Sequence, residues 1–419
     1  MTDTSPTWAS TQFGLQLHDH SGSTGHQLTG LVQPGLRRNP RRAHLLVSTV
    51  LGKHIAVSPT VIRDAGRRLG HAVATLGTGD ADVLGMAETA TGLGHCVAET
   101  LDAAVYLHST RRSAPAEQIY AEFQEGHSHA TDHMLQPAGQ DLFCNQRPLI
   151  IVDDEISTGN TALATIEALH LRMPRTRYVV ASLVDVRTGE HRHLAQRVTD
   201  TLGVPVEFIS LANGHVAVPD TLTKQVCALP APRLNPIHTS HPGSCRTTVL
   251  PWPQAVPEGG RHGFLRADAP AFDAAVTAAV ATLTPLLDPD RPLLVVGHEE
   301  LMYLPLRIAE QLADKGFNTR FQSTTRSPAY VVDDPGYPLR TGFEFPASES
   351  GETGVRYLYN GWPAGPSRAH VQMVVVIDNA AAPGATGLTT VLTAAGYDVT
   401  LAVVDSPSFN VLSAARGGL

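Results

Sequence analysis

Short apolar runs alternate along this chain with stretches whose apolar residues recur at helical spacing. The clearest unit is LIIVDDEISTGNTALATIEALHL, residues 149–171. Its first four residues read as a buried strand that runs into two carboxylates, Asp153 and Asp154. A polar turn follows, Ser157-Thr158-Gly159-Asn160-Thr161, and Leu163, Ile166 and Leu169 then share one face of a helix. Further strands are expected around Leu45 to Val47, from Asp82, around Val105 to Leu107, from Tyr178 to Val184 and from Val206 to Leu211. The turn between Asp82 and Gly94 opens another helix through Leu101. Strands alternating with helices predict an α/β protein with a doubly wound parallel sheet, whose ligands sit beyond the carboxyl ends of the strands.

The pattern changes twice. Residues 1–30 are polar, with a short strand expected at Phe13 to Leu17. Between 229 and 262 the prolines crowd together (Pro230, Pro232, Pro236, Pro242, Pro251, Pro253, Pro257), which predicts an extended linker. One α/β domain is therefore expected over 31–228 and a second over 263–419. The second opens with an amphipathic helix carrying Phe272, Val276, Val280, Leu283 and Leu287.

The second region reads as a worn repeat of the first. Val83-Leu84-Gly85 with Glu88 matches Val295-Val296-Gly297 with Glu300. Ser109 to Ser113 matches Ser323 to Ser327, and Ile151-Val152-Asp153-Asp154 with Thr158-Gly159 matches Val376-Ile377-Asp378-Asn379 with Pro383-Gly384. Blocks recurring in one order imply duplication. In this alignment Asn379 replaces Asp154 and Pro383 replaces Thr158, which removes a charge, a hydroxyl and an amide donor from the second copy.

A length of 419 residues suits two domains, and a net charge of −8 supplies no global basic field of the kind that holds nucleic acid. Cys96, Cys144, Cys227 and Cys245 show no metal-ligand spacing and read as reduced thiols of a cytoplasmic protein. The N-terminus is polar, without a signal core, and no run approaches the 18 or so apolar residues of a membrane span. Neither nucleic acid nor a membrane is expected as a partner.

A strand, a tight turn and a helix start together make an anion cradle: the first helical amides are unpaired and the helix dipole favours negative charge there. Gly159 allows close backbone approach, and the hydroxyls of Ser157, Thr158 and Thr161 add donors. No G-K-[ST] follows, so this is not a P-loop. The stretch resembles the 5-phosphoribosyl 1-pyrophosphate (PRPP) signature of type I phosphoribosyltransferases. The resemblance implies that Ser157, Thr158, Gly159, Asn160 and Thr161 hold the 5′-phosphate. It implies that Asp153 and Asp154 hold the ribose hydroxyls, stabilise the oxocarbenium-like transition state and stand next to Mg²⁺.

Other residues take roles from the same resemblance. Gly52 and Lys53, in a turn after an early strand, and Arg111 and Arg112, directly after another, are implied as pyrophosphate contacts. Glu88 falls in the loop that carries an acid near the base. Glu125, His127 and His129 fall where a mobile flap closes over the reaction and excludes water. His127, His129 and His133 read poorly as a zinc site, because no cysteine or placed carboxylate joins them. Arg37, Arg38, Arg41 and Arg42 read either as a solvated basic turn or as phosphate-facing.

Taken over residues 30 to 415, N-P-x-R, V-L-G-K-H, H-S-H-A-T, V-D-D-E-x-S-T-G-N-T and T-T-R-S-P resemble one family: two-domain phosphoribosyltransferases with a C-terminal TRSP domain, often encoded with tellurium-resistance and stress genes. The resemblance implies a type I phosphoribosyltransferase fold followed by a degenerate copy. Type I transferases are often dimers that lend a basic loop to the partner's site. Here the second copy is expected to act as a built-in partner, its Thr324-Thr325-Arg326 loop facing the first site; the alternative is that Arg326 pairs locally with Asp333 or Asp334. A homodimer remains open. Transferases for 6-oxopurines place an Asp where Ser157 stands, so an orotate-like or aromatic nitrogen acceptor is expected instead. Two rivals are a PRPP sensor without turnover, which needs no water-excluding lid, and a PRPP synthase, for which no adenine-binding signature is seen.

Overall fold

The computed structural model describes residues 7–20, 26–123, 133–238, 242–362 and 370–416. Its first sheet is built on β1 (Asp82–Gly85), β2 (Val105–His108), β3 (Leu149–Ile156), β4 (Tyr178–Asp185) and β5 (Val206–Ala217). These lie parallel in the spatial order β5-β4-β3-β1-β2. Gln16–Asp19 and Phe264–Leu265 add antiparallel edges. The apolar residues of β3 and all of β4 are buried, as central parallel strands covered on both faces require. Helices α1 (Pro59–Ala74) and α2 (Ala90–Thr100) pack on one face, against Val83, Ile150 and Val152. On the other face α3 (Asn160–Arg172) packs against Leu84, Leu149 and Ile151. The chain runs outward from β1 to β2 and then returns to place β3 on the other side of β1. The β1/β3 boundary is therefore the switch point of the sheet.

The second sheet contains β6 (Cys245–Leu250), β7 (Leu293–Gly297), β8 (Thr319–Ser323), β9 (Gln372–Asp378) and β10 (Asp398–Val404), parallel in the order β6-β10-β9-β7-β8. Its helices include α4 (Ala269–Leu283), α5 (Tyr303–Asp314) and α6 (Thr386–Ala394). Lanes β10-β9-β7-β8 reproduce β4-β3-β1-β2 in order and direction. The fifth lane does not: β5 follows β4 along the chain, whereas β6 precedes its domain.

Four expectations change. The proline-rich stretch is no mere linker, since it supplies edge strand β6, flanked rather than interrupted by Pro242 and Pro251. Phe264–Leu265, expected in the second domain, completes the first sheet. The N-terminal segment forms a helix, Trp8–Phe13, capped by the Thr7 hydroxyl, before its strand begins at Gln16. The repeat alignment moves by one residue, because Gly85 pairs with Val152 and His108, while Gly297 pairs with Val376 and Ser323. Asp378 thus stands in the place of Asp154, Ile377 in that of Asp153 and Asn379 in that of Glu155. Likewise Thr325 answers Thr110, and Arg326 answers Arg111 rather than Arg112. Alignment by residue identity pairs Asp378 with Asp153, one residue away from its partner in the hydrogen-bond register.

The two domains share a core. Ile62, Leu69 and Val97 of α1 and α2 belong to one apolar cluster with Tyr303, Leu304 and Ile308 of α5 and Phe321 of β8. The stretch Arg266–Leu286 is long and apolar enough, by length and composition, to cross a membrane. In this fold its Phe272, Val276, Val280 and Leu283 are buried.

Candidate functional site

β1 and β3 end side by side at the switch point of the sheet, where doubly wound folds bind ligands in a crevice between diverging loops. β3 delivers Asp153, Asp154 and Glu155 to its mouth, all half-buried. Asp153 accepts the N–H of Asp154 at 2.9 Å. Burial, reinforced by the charge of Asp154, pushes the Asp153 carboxyl well above its usual range. Burial also raises Asp154, while Lys53 pulls it back. Burial would raise Glu155 too, but its pairing with Arg42, at 2.5 Å, wins and holds it below normal. Of the basic quartet, Arg42 thus reaches the end of β3 through a carboxylate.

After β3 the chain turns at Gly159, whose φ of +83° starts α3. A side chain there would be strained, and its Cβ would lie 3.3 Å from Arg187 Cδ. The Thr158 hydroxyl accepts the N–H of Asn160 at 3.2 Å, and the Asn160 side-chain carbonyl oxygen is buried with no partner among the described residues. Ser157 and Thr161 are half-buried beside it. Arg187 lies 3.5 Å over the Phe208 ring and is bound to Asp185, with Nη2 to Oδ2 at 2.7 Å. Sequence reasoning did not single out Arg187; an arginine two residues past an acid that ends a buried strand was the available signal.

The opposite wall comes from two loops. Lys53 donates to the Thr89 hydroxyl, and both Glu88 and Asp154 feel its charge. Its loop is fixed by the second domain: the Gly52 carbonyl accepts the N–H of Ser323 at 2.7 Å, and a Cβ on Gly52 would meet the Phe321 ring at 2.7 Å. Glu88 is raised by burial and accepts the N–H of Arg326 at 3.0 Å, with the Thr325 hydroxyl also bonded to it. The mirror contact is present. Glu300 accepts the Thr110 hydroxyl at 2.6 Å and the N–H of Arg111 at 2.8 Å. The two copies therefore meet face to face at their strand ends, each loop capping the other copy's glutamate.

The arginines do not all go where expected. The Arg326 guanidinium pairs neither with Asp333 nor with Asp334; it turns back to Glu299 at 2.7 Å and Glu352 at 3.4 Å. Asp333 pairs with Arg340 instead. Thr324 is buried and its hydroxyl accepts the N–H of Glu299. Arg111 places its guanidinium 3.3 Å from His133 Nε2. Arg112, expected at pyrophosphate, crosses into the second domain, bonding Asp378 at 2.6 Å and lying 2.9 Å from Glu349. The buried carboxylates of Asp378 and Glu349 draw it there. Glu125, His127 and His129 lie outside the described residues; the hairpin strands Ala121–Phe123 and His133–Leu135 flank them.

The second crevice is closed from within. Hairpin Gly342–Pro346 and Val355–Tyr359 corresponds to that flap hairpin, since Thr325 bridges Tyr357 as Thr110 bridges Met134. Its Ser348 carbonyl lies so close to Gly384 that a Cβ on Gly384 would sit 2.2 Å from it. Backbone thus fills the place of the phosphate cradle. Arg112 and Arg261 hold Asp378 far below the usual carboxylate range against the opposing effect of burial. Burial would raise Glu299 as well, but His298, Arg326 and Arg356 hold it at about 2. Glu349 is pushed up to about 7 by burial, with Arg112 opposing and Glu299 adding.

A family model described as "Phosphoribosyl transferase" matches residues 31–215, and one described as "TRSP domain C terminus to PRTase_2" matches residues 258–394. The chain has no match among curated proteins. Similar solved structures include adenine phosphoribosyltransferase from Rhodothermus marinus, 21% identical over 43% of this chain and 94% of that one, with a TM-score of 0.29. Adenine phosphoribosyl transferase from Trypanosoma brucei is 15% identical over 48% and 81%, with a TM-score of 0.30. Orotate phosphoribosyltransferase from Aeropyrum pernix is 16% identical over 51% and 92%, with a TM-score of 0.26.

Proposed function

The chain belongs to the two-domain family in which a phosphoribosyl transferase domain precedes a TRSP domain, and we propose that it moves the 5-phosphoribosyl group of Mg²⁺·PRPP to a nitrogen of a small-molecule acceptor. The observation that carries this reading is the adjacent Asp153–Asp154 pair at the end of β3, set immediately before a helix start at Gly159 that no side chain caps. The amides and hydroxyls of 157–161, at a helix start that no side chain caps, suit a 5′-phosphate, and the two acids beside them suit the vicinal hydroxyls of a ribose.

In this reading the acceptor nitrogen's lone pair forms the bond to C1 while the bond from C1 to pyrophosphate breaks, with inversion. The pyrophosphate leaves with the bonding pair, and the acceptor nitrogen loses its proton. As that bond lengthens, positive charge grows on the ribose, and fixed carboxylates beneath it are worth roughly 3–4 kcal/mol per well-placed group. Lys53, aligned by Thr89 and Glu88, faces the departing pyrophosphate. Mg²⁺, held largely by pyrophosphate and ribose oxygens beside Asp153 or Asp154, would offset the leaving charge; two crowded acids, once ionised, suit a dication. Ser157 offers no base at neutral pH, which favours an orotate-like or other aromatic nitrogen acceptor that ionises without help. Pyrophosphate release measured with a panel of such acceptors tests the proposal: acceptor-dependent release by the wild-type chain, lost in Asp153→Asn/Asp154→Asn, is expected, and release that ignores both changes would overturn it.

A further inference from the structure

The loop after β7 and the closed hairpin of the second domain bring His298, Glu299 and Glu349 together, with one ligand atom from each lying within 4.8 Å of the others. The ring of His298 stands between the two acids, Nδ1 3.6 Å from Glu349 Oε1 and Nε2 3.9 Å from Glu299 Oε1. His298 is fully buried, and the Glu349 side chain is 9% exposed. Yet both ring nitrogens of His298 lack a hydrogen-bond partner among the described residues, while Glu349 meets Arg112 at 2.9 Å. Buried polar atoms in native proteins are normally satisfied, and a fully buried imidazole with neither nitrogen bonded, set between two carboxylates, marks a place where something else binds.

The surrounding charge says what sign it has. Arg112, Arg261, Arg326 and Arg356 are matched by Glu299, Glu349, Glu352 and Asp378, and with Glu258 and Glu300 buried at the edge the acids are in the majority once a cation favours their ionised forms. A dication balances this cluster, whereas an anion would worsen it. One imidazole with two carboxylates suits a transition-series dication such as Zn²⁺, Co²⁺ or Mn²⁺ better than Mg²⁺ or Ca²⁺, which prefer all-oxygen sets. The carboxylates already have outer partners, Arg326 and Arg356 on Glu299 and Arg112 beside Glu349, in the manner of supported metal ligands.

We propose that His298, Glu299 and Glu349 form a binding site for one transition-metal dication, which pins the second-domain hairpin to its own strand ends. The site is separate from the crevice at Asp153 and Asp154 and does not depend on PRPP. The full chain, stripped with a chelator and titrated with Co²⁺ alone, should bind one equivalent with a ligand-field absorption band and melt at higher temperature. Glu349→Gln should weaken that binding by at least about tenfold, while Asp153→Asn/Asp154→Asn leaves it unchanged. Absence of binding, or binding insensitive to Glu349→Gln and lost with the aspartates, would overturn the proposal. Anomalous diffraction from a wild-type crystal soaked in Co²⁺ needs no variant: a peak between His298 and Glu349 supports the site, and a peak elsewhere or none refutes it.

Discussion

The two crevices of this molecule start from one architecture and end in opposite electrostatic states. In the first, Asp153 and Asp154 crowd each other, burial raises both carboxyls, and Lys53 partly offsets that effect at Asp154. In the second, Asp378, in the position of Asp154, is neutralised by Arg112 and Arg261, and Ile377 replaces Asp153. The first cradle is an open turn at Gly159; the second lies under the Ser348 carbonyl. An unmet charge is what a ligand can satisfy, and a met one is structure. The second domain stands against the loops beside Asp153 and Asp154, presenting Thr325 and the N–H of Arg326 to Glu88 and bracing the Gly52 loop with β8.

This contrast can be broken most forcefully at Arg112. If its guanidinium serves the second domain, Arg112→Ala strips the buried Asp378 and Glu349 of their shortest ion pairs. Denaturant unfolding should then show a loss of about 3–5 kcal/mol, with PRPP affinity of the folded fraction little changed; the reverse pattern would return Arg112 to the first site. Next in size, Asp153→Asn or Asp154→Asn should lower turnover by about 10²–10³-fold while the melting temperature holds or rises. Gly159→Ala should destabilise by about 1–2 kcal/mol, because the new side chain is held at positive φ, and should weaken PRPP binding measured by calorimetry.

The smallest expected effect is on pH dependence. The folded pKa of Asp153 is raised above its ordinary 3.8, and that of Asp154 likewise, so the ligand-free fold holds protons that the unfolded chain has released. Stability should therefore fall as pH climbs from the ordinary carboxylate value through the raised one. Affinity for Mg²⁺·PRPP should rise over the same interval, since binding needs the ionised acids. Melting curves of wild type and Asp153→Asn across pH check the slope, which the substitution should flatten.

Much of this was legible in the sequence, for a physical reason. Central parallel strands are apolar on both faces, so Leu149 to Val152 and Tyr178 to Val184 announce themselves, and a Thr-Gly turn before a helix can do few other things. What the chain hides is long-range. Arg112 follows a strand as a pyrophosphate ligand would, and only the docked second domain reveals Asp378 beside it. Edge strand β6 is exposed and lies among prolines, so it carries no hydrophobic pattern to read. The one-residue shift between the copies leaves both alignments plausible by residue type; hydrogen-bond register decides it.

The most direct measurement is the stoichiometry of PRPP binding to the full chain in Mg²⁺, by calorimetry. The account predicts one PRPP per chain, abolished by Asp153→Asn/Asp154→Asn and indifferent to Asp378→Asn in protein that remains folded. Two equivalents, or one that survives loss of the first pair of aspartates, would contradict it.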